Sequence, residues 1–159
     1  MDGKSPIGTT RRKLLAAATV LPAAGWLAVT TRPVHATPTA MEEAIRDFVG
    51  EGSMRPGRVR LDVPALVENG NVVPLTVAVE SPMTETEFVE RIALFNERNP
   101  QPHVALFHLG PRAGRPSVAT RIRLADSQRI VAVARMSDGS FWSHSVEVVV
   151  TLAACIEQL

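Results

Sequence analysis

Apolar residues recur in two different periods along this chain. Met41, Ala44, Ile45, Phe48 and Val49 fall at helical spacing, with Glu42, Glu43, Arg46 and Asp47 opposite them, which predicts an amphipathic helix. Gly50 and Gly52 end it. Beyond them the period drops to two. Val59, Leu61 and Val63 alternate with Arg58, Arg60 and Asp62, and Asn69-Gly70-Asn71 signals a turn. Val73, Leu75, Val77 and Val79 alternate with Pro74, Thr76, Ala78 and Glu80. Pro74 has no N–H to give to a ladder, so this stretch is expected at a sheet edge or at a strand start.

The segment Thr84 to Asn99 fits two patterns. Thr84 with Glu87 makes a capping box, and Phe88, Ile92 and Phe95 fit one helix face. Ile92 and Leu94 also alternate, and the Asn99-Pro100-Gln101-Pro102 turn leads into the strand-like His103 to Leu109. A hairpin from Phe88 to Leu109 is the expectation. Further on, Val118, Thr120, Ile122 and Leu124 alternate, and Ala125 to Gln128 turns the chain. Ile130 to Met136 is β-rich, Ser137 to Ser140 turns again, and Phe141 to Leu152 is a long strand. Phe141 and Trp142 should pack on opposite sides of it. Six or seven short strands separated by turns predict a mainly β chain: an antiparallel sandwich with a short N-terminal helix and a C-terminal tail.

Ahead of the helix the pattern is neither helix nor strand. A polar start with Lys4 leads into Thr10-Arg11-Arg12-Lys13-Leu14-Leu15, then an apolar run from Ala16 to Val29, then Val34-His35-Ala36. This is an export signal with small residues at the cut, and its paired arginines resemble a twin-arginine leader. An uncut membrane anchor is the competing reading, but the run is short and holds Pro22 and Gly25. The expected organisation is a leader over 1–36, a helix-plus-sandwich domain over 37–152 and an arm over 153–159. The expected destination is the periplasm, with no membrane attachment expected after cleavage.

The leader changes the charge balance. The chain has 17 basic and 16 acidic residues, but five of the basic ones and one acid precede residue 37. What remains has 12 arginines, no lysine and 15 acids, a net charge of −3. Nucleic acid is therefore not an expected partner. A single cysteine excludes an intramolecular disulfide and every multi-cysteine metal motif. No Gly-rich phosphate loop is present, and neither a cofactor nor a metal is expected.

Few residues offer chemistry. Cys155 stands five residues from the C-terminus and is either a small buried apolar residue or a thiol put to use. Glu157 and the terminal carboxylate are like-sign neighbours of a thiolate, which disfavours a self-activated nucleophile. A thiol loaded by another protein's active site fits better. His103 and His108 are five apart in a strand, a poor metal pair, while a site joining Cys155 to His144 depends on the fold. Asp126, Ser127 and Asp138 read as turn residues, and Arg121 and Arg123 as a solvated sheet face.

Several long stretches, taken in order, closely resemble the Y subunit of the Sox sulfur carrier. They are Ser81-Pro82-Met83-Thr84-Glu85, Phe95 to Pro102, Phe107-His108-Leu109, Ser117 to Gln128 and Val131 to Trp142. The resemblance implies an immunoglobulin-like β-sandwich that is a carrier rather than an enzyme. It implies pairing with a second sandwich, the Z subunit. It also implies thiosulfate-derived sulfur held on an arm cysteine, which by position is Cys155. Separate Sox enzymes would load, hydrolyse and oxidise that adduct: a haem enzyme, a manganese hydrolase and a dehydrogenase. The family arm is Gly-Gly-Cys-Gly-Gly; here it reads Ala153-Ala154-Cys155-Ile156-Glu157-Gln158-Leu159. Ala153, Ala154 and Ile156 replace free, thin glycines with stiffer or bulkier neighbours of the sulfur. The competing readings are a sandwich that pairs but carries nothing, its cysteine inert, and a thiol or metal enzyme.

Overall fold

The computed structural model describes residues 38–154. The leader over 1–36 and the arm from Cys155 onward lie outside the described residues.

The helix α1 runs Pro38–Val49, starting three residues before the periodic pattern because Pro38 suits a first turn, where its missing N–H is not needed. At its end Gly50 takes φ 64° and donates to the Arg46 carbonyl at 2.7 Å, a left-handed stop that a side chain would resist.

Nine strands follow: β1 (Met54–Pro56), β2 (Val59–Asp62), β3 (Leu66–Asn69), β4 (Val73–Val79), β5 (Val89–Asn96), β6 (His103–His108), β7 (Ser117–Ile122), β8 (Gln128–Met136) and β9 (Phe141–Leu152). They form two sheets. The larger is ordered β1-β9-β8-β5-β6, with β3 also on β9; the smaller is β2-β4-β7. The main ladders are antiparallel, as expected. The short strands β1 and β3, which alternation did not reveal, add parallel to β9. β1 is exposed throughout and β3 buries only Val67, so neither shows an alternating pattern.

The Thr84 to Asn99 ambiguity resolves as a turn and a strand. Thr84 Oγ1 accepts from Glu87 N at 3.0 Å, so the capping-box geometry forms locally, but the chain then extends into β5. Pro74 is at the strand start, as expected, yet β4 is the central strand of its sheet. This is tolerated because β2 pairs only with Thr76 to Val79, which leaves the second side of Pro74 without a ladder.

The sandwich core joins Leu61, Val73, Leu75 and Val77 of the smaller sheet to Ile92, Leu94, Ile130 and Ala134 of the larger. On the outer face of the larger sheet, α1 covers Ala93, Phe95, Val131, Val133 and Phe141 with Met41 and Ala44. Strands β5 and β8 are thus buried on both faces. Phe141 belongs to the helix side and Trp142 to the sandwich side, as the sequence predicts. No helix among the described residues is long and apolar enough to cross a membrane.

The β8–β9 turn has a small acid-sensitive element. Hydrogen bonds from the Ser140 side chain and backbone hold the Asp138 carboxyl below the usual carboxylate range, with Ser140 N at 2.8 Å from Oδ1. A carboxyl depressed on folding adds stability above its unfolded value and loses it as pH falls through the folded one. Asp138 is exposed, so the effect is small. Asp138→Asn should reduce the slope of the acid limb in a stability-against-pH series below about pH 4 and leave neutral stability little changed.

Candidate functional site

The site is the end of the sandwich from which Cys155 departs. Three backbone bonds join segments distant in sequence there. Gly70 N donates to Leu152 O at 2.8 Å, Leu124 N donates to Gly70 O at 2.8 Å, and Ala154 N donates to Leu124 O at 3.0 Å. The β3–β4 turn therefore clasps the end of β9 against Leu124, two residues past the end of β7. Ala154 is buried and Ala153 exposed. Cys155 and Ile156 come next in the chain and lie outside the described residues.

Gly70 is required here for space. A Cβ on it would collide with the Leu124 carbonyl oxygen and stand 2.9 Å from Ala154 N. The sequence marked Asn69-Gly70-Asn71 as a turn and nothing more. No local pattern reports what approaches a turn from across the fold.

The strand leading to the arm is stitched further. Val150 N donates to Ser127 Oγ at 2.9 Å, and Thr151 Oγ1 donates to Glu68 O at 3.1 Å. Ser127 thus serves β9 backbone rather than a histidine, consistent with its reading as a turn residue. Asn99 organises the adjoining corner. Its Nδ2 donates to Arg123 O at 2.8 Å, while its Oδ1 accepts from Ala125 N at 3.0 Å and Gln128 Nε2 at 2.9 Å. Asn99→Ala removes three bonds of about 0.5–1.5 kcal/mol each, two of them part-buried. It should cost about 2–3 kcal/mol in urea unfolding.

The histidines do not converge. His103 and His108 sit at opposite ends of β6, and His144 Nδ1 accepts from Leu61 N at 3.0 Å, joining the two sheets. Among the described residues no group of three His, Cys, Asp or Glu side chains is placed to hold a metal. Arg121 and Arg123 are exposed, as expected for a solvated face.

Beside the arm base the larger sheet has an apolar edge. Leu66 of β3 is in register with Val149 of β9, and their side chains are 63% and 52% exposed, with Leu152 at 67%. Three large apolar side chains so close to a sheet edge suit a protein surface more than water.

Comparison with known proteins bears on this end of the molecule. Residues 45–155 match the family model described as sulfur oxidation protein SoxY. The solved sulfur carrier protein SoxY from Chlorobium limicola f thiosulfatophilum is 30% identical, with a TM-score of 0.61, over 72% of this chain and 98% of that one. A superoxide reductase (neelaredoxin) from Ignicoccus hospitalis shares the fold alone, at 17% identity and a TM-score of 0.53, over 59% of this chain and 80% of that one. No curated protein matches the chain.

Proposed function

The chain belongs to the SoxY family, and from that premise we propose that it is a periplasmic carrier subunit that holds thiosulfate-derived sulfur on Cys155. The observation that carries this reading is where the family match ends: its last residue, 155, is the only cysteine of the chain. The carrier role comes with the relative's name, and the thiol is the one group at this end able to hold sulfur covalently.

Loading is an oxidation. The Cys155 thiolate and thiosulfate give up two electrons to a haem enzyme and form the S–S bond of a Cys–S–S–SO3− adduct. The protein's own part is to present the sulfur, so the reading is of a carrier on which other enzymes act. The twin-arginine leader supports export. The clasp on Ala154 gives this carrier a short tether: Cys155 follows directly on a buried, hydrogen-bonded residue. Enzymes that process the adduct must therefore approach the sandwich end, and Ala153, Ala154 and Ile156 suit that use better than deep threading.

Mass spectrometry of protein from thiosulfate-grown cells should show sulfur adducts on Cys155. A bare thiol under all loading conditions overturns the carrier reading. The second reading, a pairing subunit with an inert cysteine, predicts that Cys155→Ala leaves both complex formation and sulfur oxidation intact.

The partner is a Z-like second sandwich, and the exposed Leu66, Val149 and Leu152 supply the kind of surface it would cover. Expressed alone, the protein should self-associate in sedimentation, and Leu66→Glu should shift it toward monomer. A well-behaved wild-type monomer at high concentration would count against this pairing.

A further inference from the structure

On the open side of the sandwich, β6 ends the larger sheet and β7 ends the smaller one, and a groove of about 480 Å³ runs between these two edges. Val104, Ala105 and Ile122 form its apolar lining, and Thr120, Arg121 and Arg123 line it from the β7 side. Among the described residues no carboxylate lines the groove. Neither arginine has an ion pair among the described residues, whereas Arg58, Arg98, Arg129 and Arg135 each do. Asn96 contributes to the groove wall but is 1% exposed, so its side-chain oxygen is out of reach of a ligand in the groove.

We propose that this groove is a binding site for a sulfur oxyanion, the sulfonate end of thiosulfate or of its adduct on Cys155. Two guanidinium forks with no ion pair and no carboxylate beside them among the described residues match a tetrahedral –SO3− group, whose three oxygens accept bidentate bonds. One wall of the groove is next in sequence to the anchor of Ala154. Arg123 precedes Leu124, whose carbonyl anchors Ala154, the residue before Cys155. The tethered source of the anion rests on the carrier reading above; the free source does not.

The test uses isotope-labelled purified protein followed by NMR. With Cys155 capped by iodoacetamide, sulfate and thiosulfate at constant ionic strength should shift the amides of His103, Thr120, Arg121 and Arg123 saturably. The Arg121→Gln, Arg123→Gln double variant should bind at least tenfold more weakly, while Arg115→Gln, a surface arginine outside the groove, should bind as wild type. Equal shifts with chloride, unchanged affinity in the double variant, or shifts that follow protein concentration instead of anion overturn the site; the last would mark an edge that pairs with a second copy.

A second arm loads the uncapped protein with tetrathionate. The thiolate attacks one central sulfur, the central S–S bond breaks, thiosulfate leaves, and Cys–S–S–SO3− remains with no further oxidant. If the tethered adduct occupies the groove, the same amides shift with no free anion and return when dithiothreitol removes the adduct. A loaded protein, verified by mass, with an unshifted groove overturns the tethered source and assigns the site to free oxyanion. Oxyanion binding by capped protein, together with a bare Cys155 in thiosulfate-grown cells, would overturn the carrier reading and leave the groove assignment standing.

Discussion

Gly70→Ala should lower stability by about 2–4 kcal/mol and release the base of the arm. The added methyl meets backbone on two sides, the Leu124 carbonyl and the Ala154 amide, and neither can rotate away as a side chain would. To admit it, the clasp must open, with loss of up to three backbone bonds worth about 1 kcal/mol each. Urea unfolding reads the stability change. Hydrogen exchange reads the release: the Ala154 amide, bonded to Leu124 in the wild type, should lose most of its protection. A variant of wild-type stability with a protected Ala154 would show that the turn can move aside. The variant also probes function, because it lengthens the tether without touching Cys155. If the short tether limits which enzymes reach the sulfur, loading of Cys155 should change while the thiol's reactivity toward small reagents does not.

Phe95→Ala should cost about 3–5 kcal/mol and undock the N-terminal helix. Phe95 is 0% exposed and points to the outer face of the larger sheet. There Phe48 of α1 meets it edge-on at 6.0 Å, and the His103 ring lies at 5.0 Å on its other side. A helix of 12 residues is marginal in water by itself, so its helicity depends on this docking. The variant should lose helical circular dichroism and show fast exchange along α1. Leu94→Ala, one residue away on the opposite face, is the control. It opens a cavity in the sandwich core at a cost of about 2–5 kcal/mol but leaves the docking surface of α1 in place. Equal loss of helix in both variants would mean that α1 and the sandwich unfold as one unit.

These two residues show why the middle of the sequence was hard to read. Strands with one wet face declare themselves: Val59, Leu61 and Val63, or Val73 to Val79, alternate because every second residue meets water. In Ile92-Ala93-Leu94-Phe95 both faces are buried, one by the second sheet and the other by α1, so alternation disappears and a helix pattern fits equally well. The capping box at Thr84 and Glu87 was real as a hydrogen bond yet belonged to a turn. The Asn99 to Pro102 turn and the strand-like run after it, rather than periodicity within the segment, favoured the hairpin.

The candidate site divides in the same way. Cys155 was legible from counting, since it is the only cysteine, and its flanking residues were legible by comparison with a glycine arm. The oxyanion groove was half legible. Arg121 and Arg123 read correctly as a solvated face, but nothing local tells which exposed arginines lack a carboxylate nearby. That depends on which strands become the sheet edges, and β6 and β7 are adjacent in sequence while lying in different sheets.

By itself, then, the sequence determined the β-sandwich class, the short helix, the two sides of Phe141 and Trp142, and the address of the thiol. Each follows from side-chain period or residue count, which are local properties. Only the tertiary structure decided that β1 and β3 pair with β9, that Gly70 must lack a side chain, and that the arm is held up to Ala154. Those outcomes depend on close approach between backbone groups from segments 30 or more residues apart, such as Gly70, Leu124 and Ala154. Backbone hydrogen bonds are made by every residue alike and so leave no mark on the order of the side chains.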